Sequence, residues 1–418
     1  MISLSNGFFE NLERVLRLWR HLGFLAVIRK IIEKSVKTMR KAYKLWFPDL
    51  TWEQFERTVL TNRIAYRGVF IQDTVLDWDV SLFQRPQHMA IALANLGYLV
   101  IYKTPGVFDT VRGFRQIYPN IWLTNMLDIK IPGAVVSMYS STAYGTGTHG
   151  FSHYSPDSVF VYEYIDHISP LINREQHVKR LTQFKEFAFK HADFIVTSAR
   201  VLEREAIQLA GPERVLFIPN GVDVNHYRHS RYQKIRLPSA FDRFRKSYST
   251  LVGYFGAIAP WLWYDMIRDL INICPDKGFV FIGPDYHKAS DNLPRKENLL
   301  YLGPVDYKFL PAYARLFDIC FIPFAPGEIA QTTSPLKLFE YFALEKPVVV
   351  TSDMLECIIY PEVFSGDSPE TIAVAIDDAI RVKDDPLYKQ KLSLLAEQNS
   401  WEQRATEYEK VFKATRRE

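Results

Sequence analysis

From Arg67 onward, short apolar runs alternate with longer amphipathic stretches. Gly68–Gln72 (GVFIQ), Leu99–Tyr102 (LVIY), Ile121–Thr124, Ala134–Met138 (AVVSM), Val159–Tyr162 (VFVY), Phe194–Thr197 (FIVT) and Val215–Ile218 (VLFI) read as strands. They are rich in β-branched and aromatic residues and too short for helices. Helical spacing fills the intervals at Arg85–Leu96, which Gly97 ends, and at Glu175–Lys190 and Val201–Leu209. The pattern then restarts. Leu251–Tyr254, Gly278–Ile282 (GFVFI), Leu299–Leu302, Ile319–Ile322 and Pro347–Val350 are the next strands, with helices near Tyr264–Ile273, Tyr307–Leu316 and Leu336–Leu344. Strands of this composition separated by helices imply parallel sheets covered on both faces. The predicted class is therefore α/β, with two Rossmann-like doubly wound domains spanning residues 63–235 and 236–390. The polar, basic stretch His226–Ser247 marks the link between them. Open sheets of this kind bind ligands beyond the carboxyl ends of their strands, so two facing sheets form a cleft.

Ahead of this body the pattern differs, and residues 1–62 read as a helical extension. Lys30, Lys34, Lys37, Lys41 and Lys44 share one helical face, and Ile32, Val36, Met39, Tyr43 and Trp46 share another. Leu12, Val15, Leu16, Trp19 and Leu22 form a similar stripe upstream; Gly23 divides two helices and Pro48 stops the second. Residues 1–48 hold ten Lys/Arg and three acids, a net +7, in a chain whose total is +4. The remainder is mildly acidic. A basic amphipathic segment suits an anionic membrane surface. It equally suits a hairpin packed on the body with a solvated lysine face. Nucleic acid is a poor partner, because the body has no basic patch with interleaved aromatics. No apolar run approaches the ~20 residues of a spanning helix. The start lacks the basic region, apolar core and cleavage site of a signal peptide. A cytoplasmic protein, peripheral on the inner face of the cell membrane, is the expectation.

Length and composition narrow the class. At 418 residues the chain exceeds one ordinary core. With 48% hydrophobic and 23% charged residues it is neither disordered, collagenous nor coiled-coil. Cys274, Cys320 and Cys357 are scattered and odd in number, which reads as buried thiols of a reducing compartment.

The segment richest in candidate chemistry is Ser334–Val350, SPLKLFEYFALEKPVVV. Ser334 suits an N-cap and Pro335 the first helical position. The helix start, with Leu336, would offer free backbone N–H groups to a diphosphate. Lys337 adds a point charge in the first turn. Glu340, on the same face, can accept hydrogen bonds from two ribose hydroxyls. The plainer reading is a capped helix with Lys337 and Glu340 as a surface pair.

This segment resembles the nucleotide-sugar-binding helix of bacterial GT-B glycosyltransferases, retaining enzymes of the glycosyltransferase family 4 type. Further likenesses follow in order. Phe83–Ala94 (FQRPQHMAIALA) looks like the first loop and helix of a subgroup used in surface-polysaccharide assembly. Val161–Ser169, Ala192–Ser198, Ile218–Val224 (IPNGVDV), Val252–Asp265, Phe281–Pro284, Leu302–Pro304 and Leu310–Phe324 continue the series. Trp401 resembles the start of a closing helix, within residues 391–418, that packs back toward the first domain. The resemblance covers about residues 66–410 and omits the basic extension. It implies sugar transfer from a nucleotide-sugar donor, bound mainly by the second domain at Gly256, Ser334, Pro335, Leu336, Lys337 and Glu340. The acceptor implied is a glycan on a polyprenyl lipid. Many relatives carry two glutamates eight positions apart here. Position 332 is Thr332, and Glu328 lies four residues too early. The base pair often supplied near Gly256 is also absent, since Gly256–Pro260 holds none.

In the first domain, Arg85 and His88 follow the first strand and are candidates for an acceptor or a phosphate. Asp166 and His167 lie past a strand end facing the expected cleft and are candidates for acceptor binding or proton transfer. Asp77-Trp78-Asp79 mimics a metal motif of a different transferase fold and reads as coincidence. No Cys/His cluster has zinc spacing. No Walker A, Gly-x-Gly-x-x-Gly or Gly-x-Ser-x-Gly sequence is present. No cofactor or metal is expected. The rival classes are a nucleotide-sugar epimerase of the same fold and a non-catalytic glycan-assembly subunit.

Overall fold

The computed structural model describes residues 49–414, apart from 81, 146, 229–234 and 236. The basic segment 1–48, its amphipathic faces and its proposed membrane contact lie outside the described residues.

The first sheet holds β1 (Val69–Asp73), β2 (Leu99–Lys103), β3 (Phe114–Tyr118), β4 (Ile121–Thr124), β5 (Val135–Tyr139), β6 (Val159–Tyr164), β7 (Phe194–Thr197) and β8 (Val215–Phe217). Their order is β3-β4-β2-β1-β5-β6-β7-β8, with every pair parallel except β3 with β4. The second sheet holds β9 (Leu251–Phe255), β10 (Gly278–Ile282), β11 (Leu299–Tyr301), β12 (Ile319–Ile322), β13 (Val348–Thr351) and β14 (Val363–Gly366), in the all-parallel order β11-β10-β9-β12-β13-β14. This is the two-domain α/β architecture that the alternating pattern predicts.

The apolar strands are explained by cover on both faces. Along β1, Val69 and Ile71 enter one core layer with Phe184 and Leu202, while Phe70 enters the opposite layer with Met89 and Leu93. The second layer also contains Trp401, Ala405, Tyr408 and Phe412 of the Trp401–Ala414 helix. The last helix therefore packs on the first sheet. Tyr408 meets Phe70 edge-on at 5.5 Å. Val222 and Tyr227 belong to the core of the second sheet, so the chain enters that core before residue 236. It returns beside the same crossing, where Val222 bridges Ser400.

Two strands escape the sequence pattern. β3 is a half-exposed edge strand, turned back on β4 through Asn120 at φ 64°. β14 is a short edge strand ending in Ser365 and Gly366. At the β3 edge, Leu50 pairs with Phe114, and Phe55 of the Trp52–Thr58 helix stacks on Phe114 at 4.0 Å.

Candidate active site

The carboxyl ends of the two sheets face each other, and the chemistry-bearing side chains gather along that junction. On the second domain, β9 ends at Gly256, whose N–H donates to the Ile282 carbonyl (2.9 Å). Gly256 has φ 146°, and a Cβ there would stand 2.8 Å from Lys337 Cε. The positive φ requires glycine. Lys337 lies on the Leu336–Ala343 helix, with Nζ 5.5 Å from the Tyr254 ring centroid and 5.2 Å from that of Phe324. Desolvation lowers its pKa, and the nearby Glu340 carboxyl opposes that shift. Aromatic faces hold the ammonium where water is scarce. Glu340 is buried, which pushes its carboxyl up to about 7; the Tyr227 hydroxyl and Lys337 act in the other direction. The plainer reading of a solvated surface pair therefore fails.

The helix start differs from the expectation by one residue. Pro335 is the N-cap and Leu336 the first helical residue, with no side-chain cap. Ser334 is buried and serves the interdomain crossing instead. Its Oγ accepts from Asn220 N–H (3.4 Å), and its carbonyl accepts from Asn220 Nδ2 (2.6 Å). The uncapped turn still presents N–H groups at Leu336 and Lys337.

Arg85 is buried and already committed. Its Nε donates to Glu163 Oε2 (3.0 Å), and Nη1 donates to the Pro219 carbonyl (3.0 Å) and Asn220 Oδ1 (3.3 Å). Through Asn220 and Ser334, Arg85 connects to the start of the Leu336–Ala343 helix, while its buried Nη2 has no hydrogen-bond partner. His88 is buried against Trp401, stacked at 5.1 Å, with the Phe83 and Tyr307 rings edge-on. Desolvation, helped by His226, lowers its pKa to about 3. The ring is thus neutral in an aromatic box, and its buried Nε2 has no hydrogen-bond partner.

Asp166 and His167 follow the end of β6. Asp166 is solvent-accessible, yet the surrounding protein desolvates its carboxyl and raises its pKa, with Arg85 opposing. His167 Nε2 lies 3.0 Å from Glu328 Oε1, a pair that joins the two domains; their side chains are 24% and 61% exposed. Glu328 opens the Glu328–Thr332 helix, which Asp353 fixes by accepting from Gly327 N–H (2.7 Å) and Gln331 Nε2 (3.1 Å). Thr332 is buried and donates to the Glu328 carbonyl (2.6 Å). A carboxylate that reaches the junction from this helix is thus Glu328, one turn earlier than the spacing argument looked. Its signal was present in the sequence, but a fixed interval of eight hid it. Asn220 lay within the IPNGVDV motif without being singled out, and Tyr227 carried no signal of its own.

Arg200 binds Glu356 across the junction through its backbone N–H (2.6 Å) and Nη1 (3.1 Å). A pocket of about 240 Å3 opens beside this pair, lined by Phe217, Ser334, Phe339 and Arg404 among others. Asp77 clamps a loop, accepting from Thr104 Oγ1 (2.5 Å) and Phe108 N–H (3.0 Å), so the Asp-Trp-Asp sequence is structural. Among the described residues, no group of three or more His, Cys, Asp or Glu could hold a metal ion.

Two parallel sheets joined by a double crossing, with a closing helix returned to the first, define the GT-B class of fold. The particular likenesses follow. Sucrose-phosphate synthase from Thermosynechococcus elongatus superposes with a TM-score of 0.60 at 14% identity, over 83% of this chain and 99% of that one. Anabaena Alr3699/HepE in complex with UDP-glucose gives 0.57 at 15% identity, over 83% and 99%. In sequence, the chain is 30% identical over 224 residues to TuaH of Bacillus subtilis (strain 168), provisionally named as a teichuronic acid biosynthesis glycosyltransferase. That match covers 51% of this chain and 54% of TuaH, so the chain spans about half the length of this curated relative. No known family profile matches the chain.

Proposed function

We propose that the chain is a retaining glycosyltransferase, of the family 4 type, that moves a sugar from a nucleotide-sugar donor to a lipid-linked glycan acceptor in surface-polysaccharide assembly. The observation that carries this reading is the cluster of Gly256, Lys337 and Glu340 at the strand ends of the second sheet. A close-approach glycine, a desolvated ammonium and a buried carboxyl on one helix match what a nucleoside diphosphate needs. The name of the B. subtilis relative and the UDP-glucose complex of the Anabaena neighbour support it.

In this reading, Lys337 and the N–H groups at the start of its helix hold the diphosphate, and Glu340 accepts the ribose hydroxyls. Glu328 faces the donor sugar in place of the absent glutamate at Thr332, and Asp166 and His167 stand on the acceptor side. The bond between the anomeric carbon and the phosphate oxygen breaks, and the acceptor oxygen bonds to that carbon on the same face. The leaving phosphate takes the acceptor proton, so no strong protein base is required. Lys337 offsets the charge that grows on the leaving diphosphate. No resident metal or cofactor takes part. The protein acts at the cytoplasmic face of the membrane, with residues 1–48 on anionic lipid.

The test is nucleotide release from a panel of donor sugars with and without a polyprenyl-linked acceptor, followed by linkage analysis of the product. Acceptor-dependent release is expected. Conversion of the donor without acceptor would identify an epimerase instead. No turnover of any donor, despite nucleotide binding, would favour a non-catalytic subunit.

A further inference from the structure

The pocket of about 240 Å3 beside the Arg200–Glu356 pair has no part in the proposed transfer. Both domains supply its wall. The first gives Arg200, at the start of the Arg200–Ala210 helix, and Phe217, the last residue of β8. The second gives Phe339 and Tyr360, and the returning chain gives Asn399 and Glu407. Phe339 stands on the Leu336–Ala343 helix about 200° round from Lys337, at 3.6 residues per turn. The pocket therefore meets that helix on the side turned away from Lys337. There the Phe339 ring packs edge-on against Tyr360 at 6.0 Å. This place is distinct from the cluster of Gly256, Lys337 and Glu340.

Two ion pairs line the pocket, and their charges balance. Arg200 commits its backbone N–H and Nη1 to Glu356, which leaves Nε and Nη2 without a protein acceptor among the described residues. Its guanidinium lies over the Phe217 ring, 5.0 Å from the centroid. Arg404 donates to Glu407 Oε1 (3.1 Å) and to the Asn399 side chain, and buried Glu407 Oε2 has no hydrogen-bond partner. The wall thus keeps unused donors at Arg200 and an unused acceptor at Glu407, beside three aromatic rings.

This lining selects among ligand classes. A free phosphate would meet Glu356 and Glu407 as well as the arginines, and a metal cation would meet the arginines as well as the glutamates. A neutral molecule whose edge both donates and accepts hydrogen bonds escapes both conflicts. Flat heterocycles stack on aromatic faces and on guanidinium planes, the surfaces that Phe217, Phe339, Tyr360 and Arg200 offer. A cavity of about 150 Å3 takes benzene, so one of about 240 Å3 takes roughly ten non-hydrogen atoms. A purine base has that size, that shape and that edge.

We propose that this pocket binds a neutral planar heterocycle of the purine-base class and that its occupant acts on the Leu336–Ala343 helix from behind. Because the wall spans both domains, an occupant fixes their approach where Arg200 meets Glu356. The site itself stands apart from the proposed activity; only its effect on nucleotide affinity rests on that reading.

The test is equilibrium dialysis of radiolabelled adenine against the full chain, with and without saturating UDP. Hypoxanthine, uracil and adenosine serve as competitors, which separates a free base from a nucleoside. Saturable binding of one purine per chain is expected, and it should persist when UDP is present. Ile359 lines the pocket and is 44% exposed, so its replacement leaves the core intact. Ile359→Trp fills the space and should weaken adenine binding at least tenfold, with an unchanged melting temperature. Ile359→Ala should hold it within threefold. Saturating adenine should change the affinity for UDP at least threefold, and UDP should change that for adenine by the same factor. No saturable binding of any of these probes overturns the site. Adenine that UDP displaces, and that Ile359→Trp leaves bound, also overturns it and places the base at Lys337 instead. Pocket binding with no change in UDP affinity overturns the action on the helix. Adenine binding lost in Ile359→Trp, in a chain that takes no UDP, would count against the proposed activity alone.

Discussion

Glu340 shows how one side chain joins stability to ligand chemistry. Burial raises its carboxyl from the ordinary 4.5 to about 7. Between those values the folded chain keeps a proton that the unfolded chain has released, so stability falls as pH rises through that window. At 1.36 kcal/mol per pH unit the loss is at most about 3 kcal/mol. Glu340→Gln should therefore melt at a higher temperature than the parent at pH 8 and at a similar temperature near pH 4.5; thermal unfolding across that range checks it. Equal melting shifts at all pH values would contradict the assignment. That Lys337 and Glu340 share one helix face was legible in the sequence from their spacing of three. The burial of Arg85 and His88 was not legible, because residue type alone does not reveal it. An arginine beside a cleft and an arginine held by Glu163 look alike until β6 is placed under the Arg85–Asn95 helix.

At the scale of elements, that helix shows what the buried ion pair holds. Arg85 links its own helix to β6 through Glu163 and to the crossing segment through Pro219 and Asn220. Asn220 in turn holds Ser334, ahead of the Leu336–Ala343 helix. Removing one partner strands the other charge in the interior. Arg85→Ala should cost about 3–5 kcal/mol, measured by urea unfolding. A loss below about 1 kcal/mol would mean that Glu163 finds water or another donor. The buried strands were readable because cover on both faces leaves few polar positions to blur the run, as in β9, β10 and β12. β3 and β14 were not, because an edge strand with one wet face carries the mixed residues of a loop.

At the scale of the molecule, the two sheets are joined at the crossing by Val222 and Ser400 and across the junction by His167–Glu328 and Arg200–Glu356. The closing helix returns to the first sheet through Trp401, Tyr408 and Phe412. The two-domain plan was legible because the strand–helix rhythm restarts. The pairing of His167 with Glu328 was not, because nothing in a sequence sets the distance between residues 161 positions apart. The central claim is that the second domain holds a nucleoside diphosphate at Gly256, Lys337 and Glu340. Calorimetric titration of UDP and other nucleoside diphosphates into the full chain tests it most directly. The account predicts binding at micromolar or tighter for one of them, about −8 kcal/mol, and at least a tenfold loss in Lys337→Ala and in Glu340→Ala. Undiminished binding in both variants, or no binding of any nucleotide to the parent chain, would contradict it.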